Sequence, residues 1–238
     1  MSAFEYKEYS VLMSVYHKER PEYLKQAIES IQVQSLSTND FVLVCDGPLN
    51  DELDAVIQTK QLEMGENLNV VRLAKNGGLG NALNEGIKHC KNELVARMDS
   101  DDIAYPDRCE KQIAVFNTHS EVSICSGIVE EFTTDPNTVD TRRVPPETNA
   151  EIIEFAKKRN PFNHPCVMYK KSAVKAVGSY QDFYLLEDYY LWLRILMAGY
   201  QGYNIQEPLL HMRAGSDMYK RRAGWKYAKT QAKLFKFM

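Results

Sequence analysis

Asp99, Ser100, Asp101 and Asp102 follow an apolar run, and their spacing suits a divalent cation held against phosphate. Residues two apart in extended backbone point to the same side, so Asp99 and Asp101 can face one ligand. Hard cations bound beside phosphates use one or two protein carboxylates and complete their shell with phosphate oxygen and water. An Asp-rich turn or helix cap uses the same residue types, so that alternative stands beside the first. Glu187-Asp188 heads a helical run. A carboxylate there either complements the helix dipole or, as a general base, takes the proton of an attacking hydroxyl. Asp46, before Gly47-Pro48, either accepts a hydrogen bond from a base N–H or starts a turn. Glu19 is a receptor for ribose hydroxyls or a solvated residue before a helix.

Asn76-Gly77-Gly78-Leu79-Gly80 lies between a strand pattern and a helix pattern. It lacks the third glycine of a dinucleotide fingerprint, and the chain has no Walker A sequence. It reads as a tight turn that lets a helix approach a nucleotide. His164, in the polar turn Asn163-His164-Pro165, is a candidate for the acceptor side or for phosphate, and His211 for an additional metal ligand. An isolated histidine without partner spacing is more often an ordinary packed or surface residue.

The elements that must position these residues follow from periodicity. Ser10–Tyr16, Phe41–Cys45, Asn69–Leu73 and Glu93–Met98 read as buried strands. Between them lie helix patterns opening at Pro21 and at about Asn50 and one carrying Leu79, Ala82, Leu83 and Ile87, and Pro106 starts another. Such alternation implies a doubly wound, mostly parallel sheet, with ligands bound beyond the carboxyl ends of the strands. Val122–Glu131 and Cys166–Lys170 read as further strands, Asp135–Glu147 as a polar loop, and Glu187 to about Ala198 as a helix stopped at Gly199.

A net charge of −3 gives no basis for nucleic-acid binding. The last segment, 216–238, differs, with seven Lys/Arg against Asp217 alone. There Trp225, Ala228, Ala232 and Phe235 form one helical stripe beside Lys226, Lys229, Lys233 and Lys236. That is the pattern of a helix on an anionic membrane surface, or of one packed on its own domain. Five cysteines without a CxxC pair, a polar N-terminus and no long apolar run predict a cytoplasmic protein, peripheral at the inner face of the membrane through the tail.

In order along nearly the whole chain, the motifs resemble the family 2 glycosyltransferases of GT-A fold, in particular bacterial enzymes of capsule, exopolysaccharide or lipopolysaccharide assembly. They run from Ser14-Val15-Tyr16 with Glu19, through Asp46-Gly47, Asn76-x-Gly78 with Ala82-Leu83-Asn84 and Asp99-Ser100-Asp101-Asp102. They continue through Asn163-His164-Pro165 and Glu187-Asp188-x-x-Leu191-Trp192-Leu193 to Glu207-Pro208-Leu209. The resemblance implies a GT-A domain over 1–215, with a Rossmann-like nucleotide-sugar-binding half (1–103) and an acceptor and catalytic half (104–215). It implies an inverting hexosyltransferase that moves one sugar from a UDP-sugar to a carbohydrate or lipid-linked saccharide. Val15, Glu19, Asp46 and Asp99 would hold the nucleotide-sugar, and Asp99 and Asp101 would hold Mn²⁺ or Mg²⁺. Asp188 would be the catalytic base, with Glu187 and His164 on the acceptor side. Ser-Val-Tyr-His and Asp46-Gly47-Pro48 depart from the frequent Pro-Val-Tyr-Asn and Asp-Asp-Gly-Ser, and the Gln-x-x-Arg-Trp motif of processive members is absent. Rival classes are a haloacid dehalogenase-type phosphatase, a nucleotidyltransferase and a non-catalytic lipid-surface scaffold. The first would carry its Asp pair after strand one, and the second a glycine-rich basic loop there.

Overall fold

Phe41–Cys45 is buried at all five positions, as an inner parallel strand covered on both faces must be. It is β2 of a nine-stranded sheet in a computed structural model that describes residues 5–215 and 224–237. β1 (Ser10–Val15), β2, β3 (Leu68–Arg72) and β4 (Leu94–Asp99) pair in parallel in the order β3-β2-β1-β4. They are connected by α1 (Pro21–Gln32), α2 (Asp51–Met64) and α3 (Leu79–His89). Pro21 begins α1, and Asn50 caps α2 by accepting from Leu53 N–H.

Strand alternation divides the core. Val11, Met13 and Val15 of β1 pack with Leu24 and Ile28 of α1 on one face. Leu12, Val42, Val44 and Val95 pack with Leu83 and Ile87 of α3 and with Leu191, Trp192 and Ile195 of α7 (Glu187–Met197) on the other. By the same alternation Arg97 and Asp99 belong to the α3/α7 face. Gly86 permits this packing, because a Cβ there would lie 2.3 Å from Leu12 Cδ1 and 2.7 Å from Val44 Cγ2. The doubly wound expectation for the first half holds.

The second half mixes directions. After β5 (Ile103–Ala104) and α4 (Arg108–Thr118) come β6 (Val122–Phe132), β7 (Thr141–Arg143), α5 (Asn149–Ala156), β8 (Met168–Lys170) and α6 (Lys171–Ala176). α7, β9 (Gln201–Arg213) and α8 (Trp225–Phe237) complete the elements of the described residues. β8 joins β4 to β6 antiparallel on both sides, whereas β6 and β9 run parallel. Two details differ from expectation, and a third element, β9, lies where the sequence pattern assigned none. The stretch 135–147 includes β7, held to β6 by the Arg142–Glu130 and Arg143–Glu131 ion pairs. Cys166 closes a 3-10 turn (His164–Cys166), and the strand begins at Met168. β9 is a 13-residue strand whose alternation is masked by Gln206-Glu207-Pro208, next to register shifts around Ile128.

α8 docks through Leu234, which is fully buried, with Tyr227 and Phe237 against Ala156, Leu186, Tyr189 and Leu193. The stripe of Trp225, Ala228, Ala232 and Phe235 faces outward, with Trp225 79% exposed. Lys220, Arg221 and Arg222 lie outside the described residues. No helix among the described residues is long and apolar enough to cross a membrane.

Candidate active site

The carboxyl ends of β1, β2 and β4 meet above α3. Val15, the last residue of β1, accepts the Asp46 N–H at 2.8 Å and joins the two strand ends. Asp46 then turns both carboxylate oxygens onto backbone, accepting from Gly77 N at 2.7 Å and Gly78 N at 3.0 Å. The glycine segment is thus held by β2 before α3 begins. Gly47 allows the approach: it has φ +88°, and a Cβ there would lie 2.6 Å from Asn76 N.

Beyond β4 the expected pair becomes a trio, with one oxygen of each of Asp99, Asp101 and Asp102 within 4.8 Å of the others. Glu19 reaches this turn through Ser100, whose hydroxyl donates to Glu19 Oε2 at 2.5 Å. Burial and the negative charges of Asp99 and Glu19 push the Asp101 carboxyl up to about 7. Burial and the negative charges of Asp101 and Asp99 raise Asp102 as well. Asp102 Oδ1 accepts the Arg213 N–H at 2.8 Å, while its buried Oδ2 has no partner. Arg213 Nε also donates to the Asp101 carbonyl, and its guanidinium lies 3.7 Å from the Tyr23 ring centroid. Concentrated, partly protonated oxygen donors with one orphaned acceptor fit a hard divalent cation, which would replace protons there.

α7 brings up the second carboxylate pair. Glu187 and Asp188 form its first turn, and Asp188 Oδ2 accepts from Asn160 Nδ2 at 2.7 Å. Burial raises the Glu187 carboxyl above its ordinary range. A Cβ on Gly80 would touch Glu187 and Tyr180, so the first turn of α3 packs against the head of α7. Asn84 fixes Tyr180 by bonding both its backbone N–H and carbonyl.

Of the two histidines, His164 joins this assembly and His211 does not. His164 Nε2 lies 3.0 Å from Tyr180 Oη, and its ring meets Trp192 edge-on. Burial and the charge of Arg97 hold its imidazole well below the usual value, so it is neutral. His211 stacks on Tyr105 at 4.4 Å with Nδ1 3.7 Å from Glu130, and it is outside the carboxylate trio.

Sequence reasoning missed Arg97, Asn160, Tyr180 and Arg213. Arg97 had a visible signal, since a guanidinium two residues before Asp99 interrupts an otherwise apolar strand. Asn160, Tyr180 and Arg213 come from segments without periodic pattern or motif spacing.

A doubly wound sheet with an acidic trio beyond its parallel strands, and a helix headed by two carboxylates, is an arrangement of GT-A type. Residues 10–178 match the family model described as Glycosyl transferase family 2, and the chain belongs to that family. It is 44% identical over 228 residues to the amylovoran biosynthesis glycosyltransferase AmsE of Erwinia amylovora, covering 96% of this chain and 84% of the relative. It is 39% identical over 226 residues to an Escherichia coli UDP-Gal:alpha-D-GlcNAc-diphosphoundecaprenol beta-1,3-galactosyltransferase, covering 95% and 81%. Among solved structures it resembles the mannosyltransferase PcManGT of Pyrobaculum calidifontis in complex with GDP-Man and Mn²⁺, with a TM-score of 0.72 and 15% identity. It also resembles S. aureus TarS 1–349 in complex with UDP-GlcNAc, with a TM-score of 0.71 and 18% identity. The alignments cover 96% and 95% of this chain but 64% and 65% of those, so it spans less than two thirds of either solved chain. Membership of the family sets aside the phosphatase and nucleotidyltransferase readings.

Proposed function

We propose that this enzyme is an inverting, metal-dependent, non-processive glycosyltransferase that moves one sugar from a UDP-sugar to a hydroxyl of a lipid-linked saccharide during surface polysaccharide assembly. The observation that carries the reading is the Asp99–Asp101–Asp102 trio, joined through Ser100 to Glu19. The relatives named for amylovoran biosynthesis and for a diphosphoundecaprenol acceptor support the pathway and acceptor class. In this reading residues 1–103 hold the donor and 104–215 the acceptor.

Asp46 and Val15 hold the base, and Glu19 and Asp99 the ribose side. Each Asp46 oxygen already takes one backbone N–H and keeps a second lone pair for a uracil imide. Asp99 and Asp101 hold Mn²⁺ or Mg²⁺, with Asp102 completing the oxygen set. When bound, the cation supplies positive charge against the departing diphosphate. Asp188 takes the proton of the acceptor hydroxyl as it attacks the anomeric carbon, and Asn160 keeps that carboxylate turned toward the acceptor. Glu187 supports it, and His164, neutral and bonded to Tyr180, shapes the acceptor side.

The test is thermal stability with UDP, GDP, dTDP, CMP and ADP, each with and without Mn²⁺, followed by transfer assays with matching nucleotide-sugars. A ligand at about 100 times its dissociation constant adds about 2.7 kcal/mol, a clear shift. A UDP shift only with Mn²⁺ is expected; a metal-independent shift would overturn the metal assignment, and a shift with another nucleotide the donor assignment.

A second reading concerns location. The outward stripe with Trp225 and Phe235, beside exposed Lys229, Lys233 and Lys236, supports peripheral contact with an anionic inner-leaflet surface.

A further inference from the structure

Arg97 is 1% exposed and lies in the middle of the sheet, yet it carries a full charge. Its backbone is held twice, by its N–H to the Val167 carbonyl at 2.9 Å and by its own carbonyl to Arg108 Nη2 at 2.6 Å. Nη2 of its guanidinium donates to Asp99 Oδ1 in an ion pair. Nε and Nη1 have no partner, and neither do the neighbouring Tyr169 Oη and Trp192 Nε1, which are also buried. Tyr180, His164 and Glu187 lie within its field, as do Asp101 and Asp102. A buried guanidinium with two unmet donors is costly, and a well-packed apolar residue on β4 would be cheaper for folding alone. On the α3/α7 face, strand alternation leaves Arg97 directly behind Asp99. Three carboxylates within 4.8 Å repel one another, and among the described residues Arg97 makes the only ion pair to any of them.

We infer that Arg97 is a positioning residue for the donor: braced by Val167 and Arg108, it fixes the Asp99 carboxylate in the orientation in which the trio captures a divalent cation together with a nucleoside diphosphate. The inference rests on the metal-dependent reading above. It makes the residue act through Asp99, on the donor and not on the acceptor.

The experiment measures the Mn²⁺ concentration that half-saturates the UDP-linked thermal shift, by titration of the full chain. Arg97→Met is expected to raise it more than tenfold, and Arg97→Lys, which keeps the charge without the planar fork, to fall between the two. In an Asp99→Asn background Arg97→Met should add less than a twofold change, since its target is gone. Donor KM should rise with acceptor KM within twofold of the parent. A merely structural role would lower Tm alike with and without ligand and leave the metal requirement unchanged. That result, or full additivity with Asp99→Asn, overturns the inference. If Arg97→Met does not fold, a wild-type metal requirement in Arg97→Lys overturns it equally. If the wild-type protein shows no Mn²⁺-dependent shift with any nucleotide, the metal reading falls and takes this inference with it.

Discussion

The Asn160 side chain donates to Asp188 Oδ2 at 2.7 Å, tying the chain just beyond α5 to the first turn of α7. The carboxylate assigned as base therefore has its direction set by a different segment from the one that carries it. Asp188→Asn is expected to lower kcat by about 10² to 10⁴, the usual worth of a general base, while UDP binding stays within twofold. Asn160→Ala should lower kcat less than Asp188→Asn does, because the base remains but is no longer oriented. Single-turnover transfer assays beside nucleotide titrations check both. Near-normal transfer by Asp188→Asn would mean that the base lies elsewhere.

Asp101 gives a pH signature. Its carboxyl titrates near 3.8 in an unfolded chain and at about 7 in the folded, metal-free protein. Between those values the folded state holds the extra proton, so this group makes metal-free stability fall as pH rises. Cation binding must displace that proton, so the Mn²⁺-induced rise in Tm should grow from pH 5.5 to about 7 and then level off. Asp101→Asn should flatten both trends. A metal effect independent of pH across that range would contradict the assignment of Asp101 as ligand.

The clamp between Asp46 and the glycine segment predicts linked losses of stability and nucleotide affinity. Asp46→Ala removes acceptors from two backbone N–H groups, a change of about 1–3 kcal/mol in stability, and should weaken UDP binding at least tenfold. Gly47→Ala should cost stability without touching the carboxylate, since φ +88° and a Cβ 2.6 Å from Asn76 N both oppose it. Chemical denaturation and UDP titration of the two variants separate these effects. Unchanged affinity in Asp46→Ala would remove that residue from the nucleotide site.

The outward face of α8 predicts binding to vesicles. Sedimentation with anionic phosphatidylglycerol-containing liposomes should be strong at low salt and fall as salt rises, whereas neutral liposomes should bind little. Trp225→Ala with Lys229, Lys233 and Lys236 changed to Glu should abolish it while Leu234 keeps the helix docked and Tm nearly unchanged. Equal binding of that variant would exclude the stripe as the contact.

Much of the donor half was legible in the chain. Phe41–Cys45 matches its strand end for end, and Pro21 and Asn50 mark helix boundaries through local chemistry that needs no partner. The nearness of Asp99 and Asp101 was anticipated from extended backbone, but β4 ends at Asp99 and the turn at Ser100-Asp101 brings the carboxylates together. What was not legible depends on contacts far apart in sequence. Asn160 lies 28 residues from Asp188, and Arg213 reaches back 111 residues to Asp102. β7 carries no apolar alternation, because its Arg142 and Arg143 earn their place by ion pairs to buried glutamates on β6. The tail shows the same limit: period alone picked out the Trp225 stripe, whereas the docked side is Tyr227, Leu234 and Phe237.

The end of β9 has a consequence for handling the molecule. Arg213 is bound to both Asp101 and Asp102, and Ala214 N–H is bound to the Phe132 carbonyl, so the strand leaves the sheet pinned beside the acidic trio. A tether, fusion partner or optical-trap handle attached at Gly215 itself, ahead of the docked α8, would therefore apply its load along a line that leads to the acidic trio. Force on that handle loosens the rung at Phe132 first and then tugs on Asp102, whereas anchoring at an exposed residue of α2 such as Leu62 leaves the trio unloaded.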